Sequence, residues 1–123
     1  MSSKHVSRDV LPADEPLLTL PEVADRLGIV VTKVMDLLNE HKIIAVQRDG
    51  VRYVPEAFFS RKKDNTNRFI PGVIALLADG GYSDEEILTF LFTPDDTLPG
   101  RPIDALHGQL AREVMRRAQS MAL

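Results

Sequence analysis

Apolar residues along this chain fall into short blocks with two different spacings. Leu20, Val23, Ala24 and Leu27 recur at three- and four-residue intervals, the period of a helix with one buried face. The block is bounded on both sides. Thr19 is placed to cap the free amides of the first turn, Glu22 to reach back to the cap amide, and Pro21 sits where its missing N–H costs nothing. Gly28 then ends the helix as a left-handed residue would. A second helix is expected from about Val31 to Glu40, with Val34, Leu37 and Leu38 on one face and Thr32, Lys33, Asp36 and Asn39 mainly on the other. The pattern then changes. Ile43 to Arg48 is β-branched and extended, Asp49-Gly50 is a strong hairpin turn, and Val51 to Val54 is the return strand. Pro55 to Phe59 predicts a short helix or turn with two aromatic rings to bury.

The second half is helical. Residues 60–69 form a polar, basic loop. Helical spacing resumes at Pro71 with Val73, Ile74, Leu76 and Leu77, and stops at Asp79-Gly80-Gly81. Ser83-Asp84-Glu85-Glu86 is a second capping box, opening a helix through Ile87, Leu88, Phe90, Leu91 and Phe92. Turns at 93–96 and 99–102 lead to a last helix, expected from Ile103 or Asp104 to near Met121, with Leu106, Leu110, Val114 and Ala118 as its apolar face. Arg101 is expected to pair with Asp95 or Asp96. Residues 1–16 are polar, contain Pro12 and Pro16, lack periodicity and read as a mobile tail.

Composition narrows the function. The 123 residues are 44% hydrophobic and 27% charged, a globular balance, with no cysteine for disulfides, thiolate metal sites or thiol catalysis. His5, His41 and His107 lie far apart and lack ligand spacing, so no metal site and no cofactor are implied. No apolar run approaches the ~20 residues of a membrane span, and the N-terminus lacks the apolar stretch of a signal peptide; a cytoplasmic protein is expected. The net charge of −3 hides an asymmetry. Between His41 and Arg68, seven basic residues face three acidic ones, whereas from Phe69 onward four basic residues face eight acidic ones. One basic face is therefore expected. No enzyme constellation is visible. Asp84-Glu85-Glu86 is explained by the first turn of a helix, and Gly80-Gly81 follows a helix rather than the strand a phosphate loop requires.

The order helix, glycine turn, helix, hairpin resembles the winged helix-turn-helix of the MerR and excisionase type. The matching residues are Leu18 through Ile29, then Lys33-Val34, Leu37-Leu38 and Tyr53-Val54-Pro55. Position 30 departs from that pattern: it is Val30 where Ser or Thr usually caps the second helix, which leaves Thr32 as a late cap. The resemblance implies a winged module over 17–59 that binds double-stranded DNA. A major groove about 12 Å wide admits one helix, and the second helix would present Val31, Thr32, Lys33 and Asp36 to it. Arg48 and Arg52 on the wing, extended by Arg61, Lys62 and Lys63, would lie on phosphates.

Residues 70–123 form the other unit, a C-terminal three-helix region. Leu91 to Pro94 and the segment Leu98-Pro99-Gly100-Arg101-Pro102-Ile103-Asp104-Ala105-Leu106 give the chain from about residue 15 onward a resemblance to an actinobacterial family of small winged-helix DNA-binding regulators. The same segment alone is similar to the C-terminal domain of Xre-type antitoxins. The fold expected is mainly α, with one β-hairpin, and the function is DNA binding with transcriptional regulation. The alternative is an adaptor or antitoxin-like protein that binds a protein partner, or a second copy, through its C-terminal helices; exposure of Phe90, Phe92 or Met115 would favour it.

Overall fold

The structure, a computed structural model, describes residues 6–7, 9–60 and 67–123. Strands β1 (Val6–Ser7) and β2 (Leu17–Thr19) precede α1 (Leu20–Leu27) and α2 (Val31–Asn39). The wing follows as β3 (Ala45–Arg48) and β4 (Val51–Pro55), closed by a single 3₁₀ turn at Glu56–Phe58. The C-terminal half holds α3 (Ile70–Asp79), α4 (Asp84–Phe92), α5 (Pro102–Ala105) and α6 (Ala111–Met121). A winged helix followed by C-terminal helices is thus the observed architecture.

Local chemistry sets most boundaries. Both expected capping boxes form, Thr19 with Glu22 and Ser83 with Glu86, each side chain meeting the other residue's backbone N–H. Gly28 closes α1 at φ 68°, and Asp49 and Gly50 both take positive φ, which the tight hairpin turn demands. The wing pairs antiparallel in the register Val46 with Tyr53 and Arg48 with Val51. On its far side β4 pairs with β2, so the residues that lead into α1 also form an edge of the sheet.

Three expectations change. The stretch read as a tail is docked in its described part. β1 pairs in parallel with β3, Leu11 is buried, and Asp9 and Glu15 each meet an arginine far along the chain. Second, Thr32 does not cap α2. The helix starts at Val31, where its spacing predicts, with Val30 as an N-cap that has no side-chain hydrogen bond to offer. Third, the last helix is divided into α5 and α6. Asn67 donates from Nδ2 to the Leu106 carbonyl (3.1 Å), His107 Nε2 lies 2.5 Å from the Ala57 carbonyl, and Gly108 follows with its poor helix propensity. Ties to the wing side hold the chain where a continuous helix would have run.

One apolar core crosses the junction between the halves. Phe58 and Phe59, at the end of the wing, are fully buried, and the Phe58 ring packs at 6.0 Å from that of Phe92 in α4. Helices α3 and α6 pack together closely enough at their ends that a Cβ on Gly80 would come within 2.8 Å of the Ala122 backbone. Around the rim, Arg101 joins three elements. It donates to both carboxylate oxygens of Asp104 (2.9 and 3.0 Å), donates to the buried Glu15, and lies over the Phe92 ring. The expected partners Asp95 and Asp96 are not used: Asp95 instead accepts from Thr97 and pairs with Arg117.

Two stability changes are expected. Arg101→Ala strands the Glu15 carboxylate in a buried site and should cost about 3 kcal/mol in chemical denaturation, with Arg101→Lys recovering part of it. Val30→Ser supplies the missing cap of α2 and should add about 1 kcal/mol, raising the thermal midpoint by about 4 °C.

Candidate nucleic-acid interface

Helix α2 is anchored by Val34 and Leu38, which are buried. That anchoring fixes its opposite side outward: Thr32, Lys33 and Asp36 are exposed, as are Val30 and Val31 at its start. Lys33 has no carboxylate at ion-pair distance among the described residues. The wing reaches α2 through Arg52, whose guanidinium lies 3.3 Å from the Met35 sulfur. Arg52 too has no carboxylate partner among the described residues. The wing thus meets α2 on its Met35 flank, while Lys33, about 200° around the helix from Met35, projects from the other flank of the exposed side.

Arg48 is differently placed. It holds Asp9 through two hydrogen bonds and donates to the carbonyls of Pro12 and Ala13, so the segment before β2 is strapped across the wing. Asp49 adjoins Arg48 in sequence and Glu56 ends the wing, but neither carboxylate forms an ion pair with Arg48 among the described residues. Glu56 instead pairs with Arg26 of α1, which also donates to the Ser60 carbonyl. Arg61, Lys62 and Lys63 lie outside the described residues. Arg68, which the sequence offered only as part of a charge count, is exposed and stacks over Phe69 at 4.7 Å.

The cations of the C-terminal half are mostly neutralised. Arg116 and Arg117 both donate to Glu113, and those bonds, Arg116 first, hold its carboxyl down to about 2. Arg101 is engaged as described above. A cleft of about 310 Å³ opens between the halves, but its charges are matched within it, Arg26 to Glu56 and Arg101 to Glu15 and Asp104. His107 closes one wall: its Nε2–H donates to Ala57, and Nδ1 accepts from Asn67, whose Oδ1 is fixed by the Phe69 N–H. Among the described residues no group of three His, Asp or Glu side chains is placed to hold a metal ion. Among the same residues no helix is long and apolar enough to cross a membrane.

The strap gives a pH dependence. Hydrogen bonding from Arg48, helped by the Leu11 N–H, holds the Asp9 carboxyl below its ordinary value. A depressed carboxyl stabilises the fold above its unfolded value of about 4, and that contribution is lost as the pH falls through the folded value. The thermal midpoint of Asp9→Asn should thus lie below wild type at pH 6, with the gap closing below about pH 4. A gap that stays constant across that range would show that the Asp9 charge contributes nothing.

Residues 5–59 match the model described as DNA-binding protein Rv2175c, wHTH domain, and residues 68–122 match the Rv2175c C-terminal domain of unknown function. The chain is 44% identical over 126 residues to the DNA-binding protein Rv2175c of Mycobacterium tuberculosis (strain ATCC 25618 / H37Rv), covering 93% of this chain and 86% of that protein. The NMR structure of Rv2175c superposes with a TM-score of 0.86 at 41% identity, covering 99% of this chain and 94% of that one. Winged helix and C-terminal helices alike are thus shared, and the chain belongs to the Rv2175c family.

Proposed function

We propose that this protein binds double-stranded DNA, with α2 in the major groove and the wing on the flanking phosphates, and that it acts in transcriptional regulation. The observation that carries the reading is the outward side of α2 set beside the wing, with Lys33 and Arg52 on its two flanks and neither paired with a carboxylate among the described residues. Its shape supports the same use, because a helix held outward beside a hairpin is the geometry that enters a groove and straddles its backbone. The relative's name, DNA-binding protein, agrees. Thr32 and Asp36 lie on the helix side of this face, where base edges would be met.

The wing contributes less charge than two arginines would suggest, since Arg48 is committed to Asp9. Arg52 is the wing cation on hand for a phosphate. The adaptor reading gains nothing from the residues that would have favoured it: Phe92 is buried, and Phe90 and Met115 pack against the core.

Titration of labelled duplex at several salt concentrations tests the proposal. Affinity should fall steeply with salt, and Lys33→Ala and Arg52→Ala should each weaken binding and lower the logarithmic salt slope by about one. Absence of binding to any duplex at low salt would overturn it.

A further inference from the structure

Helix α2 buries Val34 and Leu38 yet leaves two apolar residues at its start in solvent, Val30 at 64% exposure and Val31 at 40%. Neither position gains anything evident in the free protein. Val30 occupies the N-cap without a hydrogen-bonding side chain, and a polar residue there would stabilise the helix. Val31 and Met35 are four residues apart, so they stand in one row along the helix. The Met35 end of that row touches Arg52, and Lys33 is exposed on the other flank of the helix. A strip of apolar side chains is therefore presented beside the Arg52 guanidinium.

If α2 lies in the major groove, as the proposed function holds, this strip faces base edges. The groove offers hydrogen-bond donors and acceptors nearly everywhere, and one apolar group, the C5 methyl of thymine. Against cytosine N4 or a purine edge, a valine would remove water from a polar group and give nothing back. Against a thymine methyl, both partners leave water favourably. We infer that Val31, with Val30 beside it, is a specificity-determining contact that reads thymine methyl groups under the start of α2. The inference rests on the DNA-binding reading and adds the base class preferred there.

A random-sequence duplex pool presented to the full chain supplies a preferred duplex. That duplex is then remade with deoxyuridine in place of thymine, one position at a time, which removes the methyl and keeps the base pair. Wild type should lose about fourfold in affinity at one or two positions, the equivalent of one methyl no longer buried. Val31→Ala should bind thymine and deoxyuridine duplexes equally at those positions. Its far-ultraviolet circular dichroism should match wild type, because the side chain is exposed and alanine favours helix. Wild-type binding with no thymine preference at any position would overturn this inference while leaving the DNA-binding reading intact. The same holds for a preference that persists in Val31→Ala. Failure to bind any duplex, in contrast, would overturn both.

Discussion

Burial of Phe58 and Phe59 across the junction is the constraint on which the rest of the structure depends. The two rings close the wing and are buried in the core that the C-terminal helices share, with Phe92 of α4 against Phe58. A winged module of this size has little apolar surface to bury by itself, and small domains are marginal for that reason. Sharing one core makes the helices part of the wing's support. The polar ties around the rim follow the same logic. Arg101 satisfies the buried Glu15, and His107 and Asn67 hold the break between α5 and α6 against the wing side. Each closes a polar group that the shared core would otherwise leave buried and unpaired.

Pairing of charges, rather than their number, decides where this protein has a positive face. Its arginines are spread over both halves, but those at 26, 48, 101, 116 and 117 are each held by a carboxylate. Among the described residues Lys33 and Arg52 are not; Arg52 sits where the wing meets α2 at Met35, and Lys33 is exposed on the same helix. An arginine engaged with a fixed carboxylate must give up that partner before it can neutralise a phosphate, so it adds less to a polyanion's binding than its formal charge suggests. The net charge of −3 is thereby compatible with a local cationic face.

The amino-acid sequence by itself determined the local features. Period, caps and turns are set by interactions within a few residues, so α1, the hairpin at Asp49-Gly50 and the Ser83 capping box were legible from spacing alone. The candidate helix face was legible too, since Val34 and Leu38 turn inward and leave Thr32, Lys33 and Asp36 outward. What only the tertiary structure decided are the pairings between distant positions. Asp9 with Arg48 spans 39 residues and Glu15 with Arg101 spans 86, and no periodicity encodes such a partner. The same is true of the division between α5 and α6, which long-range hydrogen bonds from Asn67 and His107 support. Contacts of that kind exist only once the two halves have packed, and so they reassigned Arg48 and Arg101 and docked the N-terminal segment that its polar composition had presented as a tail.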